Sequence, residues 1–465
     1  MAMSVSIQLD KKSKKPLYVQ LYEALKEKIL SGEYSYMQKL PSVRHLCKAL
    51  NVNLSTVTKA LNQLQLEGYI KAVAGSGYYV VYNEYQDKVI FEEEILSTPS
   101  SEFINLSSSK LPYSLYPIEQ FKSSINNAIE SFGPQIFDYI EPFKNPLKEY
   151  LVENYLEKFK IYADPLNVII VSGAQQGIEI TTKSLLKPGD TIFIENPSYL
   201  GAYHIFSNMH LNVIGIDIDQ MEQIEDYVKK FSPKAFYIIP FSQNPTGISY
   251  TEEYKRYLCD IAEKYNFYLI EDDFLSDVVV EEGNFPIKAY DRHDRVFYIK
   301  SFSTLTMPAL RIGFVVSPAE FADEVAYYKS TADISTSLFI QVCFADFLKN
   351  HFDLYIQKLK SYIQEKRKLF LDLIEKYGLA SRLFTKSPKG IFVSFLLPPK
   401  ISSAYIYNKL KAEKVLVQPH TCFYHKPNSI NFFRVSFLNC SDVGLQIGIE
   451  KIRDALKSIL QKGGE

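Results

Sequence analysis

The sequence predicts a two-part chain of α/β class: a small helical head closed by a β-hairpin, then a long body built on a mostly parallel sheet. Three observations lead there. Residues 1–82 carry 11 Lys/Arg against 5 Asp/Glu, a balance of +6, whereas all 465 residues together sum to −1. Short apolar runs recur between Val168 and Val316, each followed by a helical stretch; buried strands alternating with helices make a parallel sheet covered on both faces. Between head and body, Asn83 to Glu102 is acidic and then rich in Ser, Thr and Pro, with little periodicity, as a linker is. The expected boundaries are a head at 1–82, a linker at 83–105, a large domain at 106–380 and a smaller C-terminal α+β lobe at 381–465.

In the head, Pro16 to Leu30 places Leu17, Leu21, Leu25 and Ile29 on one helical face. Leu40-Pro41-Ser42 gives a turn and an N-cap for a second helix from about Ser42 to Leu50. A third helix runs from about Ser55 to Glu67 and is closed by Gly68. Two short helices joined by a turn as brief as Asn51-Val52-Asn53 read as a helix-turn-helix. Tyr69 to Val73 and Gly77 to Val81 alternate and flank Ala74-Gly75-Ser76, which predicts a hairpin, or wing. A basic head on a mildly acidic body restricts a polyanionic partner to the head.

Five cysteines (Cys47, Cys259, Cys343, Cys422 and Cys440) are scattered without metal-ligand spacing. Free thiols in a reducing compartment and no metal site are therefore expected. No apolar run approaches the ~20 residues of a membrane span, and the N-terminus lacks a signal-type apolar stretch, so a cytoplasmic location is expected.

In the body, strands are expected at Val168 to Val171, Thr191 to Ile194, Leu211 to Asp217, Ala235 to Pro240, Tyr268 to Glu271, Val296 to Ile299 and Gly313 to Val316. Ligands of such sheets bind at the C-terminal ends of the strands. The polar signatures lie there. Ser172-Gly173-Ala174-Gln175 opens a helix, whose free N–H groups and dipole suit a phosphate. Asn244-Pro245-Thr246-Gly247, Glu271-Asp272-Asp273 and Ser301-Phe302-Ser303-Thr304 each follow a strand. Taken singly, each is equally a plain turn or a solvated acidic loop.

Together these phrases resemble two families. The order of head elements, with LPSVRHL and LEGYI…GSGYYV, resembles the winged helix-turn-helix of GntR-family bacterial regulators over about residues 13–82. The resemblance implies a double-stranded DNA operator as partner, with Arg44, Asn53, Ser55, Thr56, Thr58, Lys59 and the wing residues Gly75 and Gly77 facing it. In such domains the third helix enters the major groove. The family often has arginine where this chain has Leu54 and Thr58, so its preferred site is expected to differ.

Over some 330 residues the body resembles the fold-type I aminotransferases, which use pyridoxal 5′-phosphate (PLP). By that resemblance Gly173, Ala174, Gln175, Ser301 and Arg311 cradle the phosphate, and Ser303 and Thr304 also line the cofactor site. Asp272 pairs with the ring nitrogen, Asn244 with the ring hydroxyl, and Tyr199 covers the ring face. Arg434 forks onto a carboxylate, and Tyr139 reaches a neighbouring subunit's phosphate. Head and body together resemble the MocR/GabR group of regulators, which implies a homodimer and no membrane partner.

One position breaks the pattern. The frame Ser301, Phe302, Ser303, Pro308, Leu310, Arg311, Gly313 is intact, but Thr304 occupies the slot of the Schiff-base lysine. Lys300 lies four residues upstream, in a slot usually held by glycine, and Phe274 stands where a tyrosine is usual. Threonine cannot form the lysine Schiff base from which the family chemistry starts. No catalytic residue is therefore expected. The expected function is a transcriptional regulator that binds PLP or a related vitamer non-covalently, or as a preformed aldimine with a small amino effector. Other readings are an engineered loss of the lysine, a cleft that has lost PLP for another ligand, and a true PLP-dependent aminotransferase with an accessory head.

Overall fold

The structure is a computed structural model and describes residues 7, 9–11, 13, 15–30, 34, 38–73, 76–80, 102–139, 144–279, 283–385, 388–398, 401–424 and 430–462. Most of the expected linker, Gly75 and Val81 lie outside the described residues.

The head forms α1 (Leu17–Leu30), α2 (Val43–Leu50), α3 (Leu54–Leu66) and a hairpin of β1 (Ile70–Val73) with β2 (Gly77–Val80). Ser42 caps α2 by accepting from His45 N, and Asn53 caps α3 by accepting from Thr56 N. Each cap satisfies an amide that the first helical turn leaves without a partner. Leu21, Leu25 and Ile29 of α1 close over Leu46, Val57, Leu61 and Leu64, so the head has its own core.

The body is organised by a seven-stranded sheet: β4 (Val168–Val171), β5 (Thr191–Asn196), β7 (Asn212–Asp217), β8 (Ala235–Ile238), β9 (Tyr268–Asp273), β10 (Val296–Ser301) and β11 (Gly313–Val316), in the order β4-β11-β10-β9-β8-β5-β7. All neighbours are parallel except those of β11, which runs antiparallel to both β10 and β4. Apolar residues fill both faces, which is why these strands read as continuous apolar runs rather than alternating ones. Helix Ala174–Leu185 packs so closely that a Cβ on Gly177 would stand 2.8 Å from Ile299 Cγ2.

The C-terminal lobe carries β12 (Phe392–Leu396), β14 (Gln418–Pro419) and β16 (Phe432–Ser436) in one antiparallel sheet. Two short pairings tie it to the rest. β15 (Phe423–Tyr424) pairs with β6 (Ser198–Tyr199) of the large domain. β3 (Ile104–Asn105) pairs in parallel with β13 (Val415–Leu416). The end of the expected linker therefore differs from its sequence reading: Ile104 and Asn105 form a strand on the small lobe. The head meets the same lobe, where Ser402 N donates to the Leu66 carbonyl at the end of α3 (3.1 Å).

Candidate functional site

The strand ends converge as the sequence suggests. Gly173, between β4 and helix Ala174–Leu185, has φ +88° and gives that helix no side-chain cap. The Arg311 guanidinium fills the space above it: a Cβ on Gly173 would lie 2.7 Å from Arg311 Nη2. Arg311 itself adopts a left-handed φ of 49° and donates from Nη2 to the Ser172 carbonyl (2.9 Å). Ala174 and Gln175 form the first helical turn, and Gln175 Oε1 accepts from Tyr199 Oη (2.8 Å). Burial pushes the Tyr199 hydroxyl up to about 12, with Asp272 adding to the rise and Arg311 opposing it. Phosphate loop, aromatic residue and acidic strand end thus lie within electrostatic reach of one another.

Asp272, at the end of β9, accepts from Tyr237 Oη, while its Oδ1 is buried without a hydrogen-bond partner among the described residues. Burial pushes its pKa up to about 6 against that hydrogen bond, and the neighbouring Asp273 adds to the rise. Ser301 ends β10 and is buried; its Oγ accepts from Ser303 N (3.3 Å). Ser303 Oγ is buried with no partner among the described residues, and Thr304 is half-buried in the same turn.

Across the cleft, Arg434 of β16 is buried at 5 % exposure between the rings of Phe392 and Phe423. Its Nη1 donates to Asn244 Oδ1 (2.8 Å); its Nη2 donates to the Ser107 carbonyl (2.6 Å) and to Gln418 Oε1. The Asn244 turn is fixed from behind. Gln243 bonds to Thr246, to the Pro197 carbonyl and to Glu195. Glu195 also accepts from Tyr250 Oη and Ile239 N, and burial pushes it up to about 8. Tyr139 is exposed in the single chain, its carbonyl accepting from Ser335 Oγ, and it is not gathered into this cleft.

Lys300 does not share this cleft. In register Ile299 lies opposite Asp272 and Lys300 opposite Asp273, so the Lys300 side chain leaves the other face of the sheet. There it is fully buried, with Nζ 2.7 Å from Asp277 Oδ2, 3.2 Å from Asp273 Oδ2 and donating to Ser276 Oγ (2.8 Å). Burial disfavours the ammonium, but the two carboxylates outweigh it and hold the lysine above its usual pKa. Tyr155 and Tyr298 bond the same two carboxylates. Phe274 packs against Phe392 at a tilt of 33°, with ring centroids 5.9 Å apart.

A profile of aminotransferase class I and II matches residues 101–452. The chain belongs to that family. A profile of bacterial regulatory proteins of the gntR family matches residues 17–80, so this aminotransferase-family chain carries a GntR-type head, the arrangement of MocR-type regulators. Its relatives include the uncharacterized HTH-type transcriptional regulator YdfD of Bacillus subtilis, 28 % identical over 97 % of this chain and 99 % of that one. The HTH-type transcriptional regulator NorG of Staphylococcus aureus is 28 % identical over 90 % of this chain and 100 % of its own. Among solved structures, an archaeal alanine:glyoxylate aminotransferase superposes with a TM-score of 0.72 at 26 % identity, covering 80 % of this chain and 94 % of that one. The multiple substrate aminotransferase of Thermococcus profundus shares the fold, with a TM-score of 0.73 at 24 % identity over 82 % of this chain and 96 % of that one.

The family's cofactor, PLP, supplies an electron-sink ring when bound. The residues present fit it. The unpartnered Asp272 Oδ1 suits a ring N–H, and the unpartnered Ser303 Oγ and the Gly173–Arg311 cradle suit a phosphate. Sequence reasoning missed Tyr237, Glu195, Gln243, Gln418 and Ser107. Tyr237 is the polar member of an otherwise apolar strand, and Glu195 carries a charge at the end of the buried run Ile192 to Ile194, signals that were available. Ser107 meets Arg434 from 327 residues away and Gln418 through the pairing of β14 with β16, and nothing local marks them.

In the head, Arg44 is exposed in the first turn of α2; along the first half of α3, Ser55 and Lys59 are exposed and Thr56 and Thr58 half-buried. Leu54, the residue replacing a frequent arginine, is 63 % exposed. Asn53 is exposed and also caps α3. Its Oδ1 accepts from Thr56 N, Thr56 Oγ1 and Ser55 Oγ, so that oxygen holds the helix start. Gly77 begins β2 with φ +132° beside Lys39 Cε.

Proposed function

We propose that this chain is a DNA-binding transcriptional regulator whose aminotransferase-like body is a sensor for PLP or a pyridoxyl–amino compound, held without a lysine Schiff base. The carrying observation is the combination at one cleft: the ring-nitrogen and phosphate partners persist, Thr304 stands in the lysine slot, and Lys300 is locked on the far face of the sheet by Asp273 and Asp277. Asp272 would pair with the ring nitrogen, Asn244 with the ring hydroxyl, and Gly173, Ala174, Gln175, Ser301, Ser303 and Arg311 with the phosphate. Arg434, buried and already bonded to Asn244, supports a ligand that carries a carboxylate. The relatives named as transcriptional regulators support the regulatory reading. A cytoplasmic homodimer suits it, since two heads on one body raise each other's effective concentration on a two-part operator.

The test is an absorbance titration of the purified protein with PLP, then borohydride reduction and intact-mass analysis, with operator binding followed in parallel. A saturable spectral shift with no covalent mass gain is expected, together with a ligand-dependent change in operator affinity. A reduced adduct on a lysine, or steady transamination of an amino acid, would overturn the reading.

A further inference from the structure

We propose that the carboxylate of a bound ligand competes with the Ser107 carbonyl for Arg434, and that this exchange loosens β3, the segment joining the body to the linker and head. The inference rests on the ligand reading above and adds how occupancy leaves the site.

Three of the five N–H groups of Arg434 donate to Asn244, Ser107 and Gln418. Nη2 has two hydrogens, and both are engaged, by Ser107 O and Gln418 Oε1. A carboxylate can fork onto a guanidinium through Nη1 and Nη2 or through Nε and Nη2, so either fork needs an Nη2 hydrogen. One present acceptor has to yield. Gln418 faces Arg434 in the register of β14 and β16, so two strands hold it in place. Ser107 follows a two-residue strand and sits in a turn made by Asn105, whose Oδ1 accepts from Ser107 N, Ser107 Oγ and Ser108 N. Ser107 is the weaker-held of the two.

Few bonds hold that segment on the lobe. Ile104 N donates to Lys414 O (2.8 Å), Leu106 N to Leu416 O (2.9 Å), and Ser436 N to Leu106 O (2.7 Å); of the two charge-assisted bonds, Arg434 to Ser107 O is buried, and Lys414 Nζ to Glu102 Oε2 (3.2 Å) is exposed and screened by solvent. The head itself bears on the same lobe, where Ser402 N donates to the Leu66 carbonyl of α3. A ligand that takes Arg434 from Ser107 therefore acts directly on the chain that leads to the head, with no relay through the large sheet.

The experiment is hydrogen–deuterium exchange on the full chain, read at the amides of Ile104 and Leu106. Two probes are compared at saturation, checked by fluorescence titration: pyridoxamine 5′-phosphate, which has no carboxylate, and N-(5′-phosphopyridoxyl)-L-alanine, which has one. The alanine conjugate is expected to speed exchange at both amides by roughly tenfold, the scale of one charge-assisted hydrogen bond, and pyridoxamine 5′-phosphate to leave them unchanged. Asn105→Ala is expected to exchange fast before ligand and to show no further rise, while still binding the conjugate. Unchanged or slower exchange with the conjugate bound, or the same change with both probes, overturns the coupling and leaves the ligand reading standing. A conjugate that fails to bind while pyridoxamine 5′-phosphate binds overturns the coupling as well. Failure of both to bind overturns the ligand reading and the coupling together.

Discussion

Replacing Lys300 by methionine separates the two roles a lysine at this place could have. Methionine keeps most of the apolar stem and removes the ammonium, leaving Asp273 and Asp277 buried without their cation. Breaking a buried ion pair from one side typically costs about 3–5 kcal/mol, which is roughly a hundred- to several-thousand-fold in the unfolded population. The carboxylates keep some support: Asp273 accepts from Tyr298 Oη, Leu275 N and Ser276 N, and Asp277 from Tyr155 Oη. The lower half of that range is therefore expected. The sign with pH follows from the shifts. Lys300 is raised, so its stabilisation is present below the ordinary lysine pKa and is lost as pH rises through the folded value. Asp273 is lowered despite burial, chiefly by Lys300, so its share is present above the ordinary carboxylate pKa of about 3.9 and lost as pH falls through the folded value. The gap between wild type and variant is thus widest between about pH 5 and pH 9 and narrows in acid, where the stranded carboxylates take up protons. Urea unfolding of the body at several pH values measures it, with Lys300→Met combined with Asp277→Asn expected to recover part of the loss. PLP affinity of the folded variant should be nearly that of wild type. An unchanged urea midpoint, or a phosphopyridoxyl adduct mapped to Lys300 in the wild-type chain, would refute the reasoning.

The other predictions concern the cleft and the head. Because burial pushes Asp272 up to about 6, PLP affinity should hold above that pH and fall below it as the carboxylate gains a proton. Asp272→Asn should weaken binding at pH 8 by about tenfold or more and lack that step, which fluorescence titrations across pH would reveal. Gly173→Ala forces a Cβ within 2.7 Å of Arg311 Nη2 at a positive φ; a loss of about 1–2 kcal/mol in body stability and at least tenfold weaker PLP binding are expected by calorimetry. Arg44→Ala and Lys59→Ala should each lower the salt slope of operator binding by about 0.9, measured by anisotropy over a range of salt. Asn53→Ala should cost the head about 1 kcal/mol through loss of its cap, seen as a lower melting temperature.

The elements of this protein were largely legible because local rules and tertiary demands agree. Leu21, Leu25 and Ile29 repeat at helical spacing and are all buried. β4 and β11 end where the apolar runs Val168 to Val171 and Gly313 to Val316 end. Phosphate loop and acidic strand end were placed together because all lie at the C-terminal edge of one sheet, a consequence of strand direction that sequence order carries. The cap role of Asn53 was not legible because an exposed asparagine before a helix reads equally as a DNA contact and as a cap; three local donors on its Oδ1 show the cap. The end of the linker was misjudged because Ile104-Asn105 is too short to show a period, and its partner strand lies some 310 residues away.

What the sequence determined by itself was the architecture: a basic helix-turn-helix head and an aminotransferase-family body, with Thr304 in the turn that follows the apolar run Val296 to Ile299. Only the tertiary structure decided which side of the sheet Lys300 occupies. In a strand buried on both faces no polar–apolar alternation marks the sides, so register against β9 is what sends Ile299 toward the cleft face and Lys300 to Asp273 and Asp277. The tertiary structure likewise brought Ser107, Asn244 and Gln418 onto one guanidinium. Asn244 and Ser107 lie 190 and 327 residues from Arg434, and Gln418 reaches it through the pairing of β14 with β16; no local property of their sequence encodes that meeting.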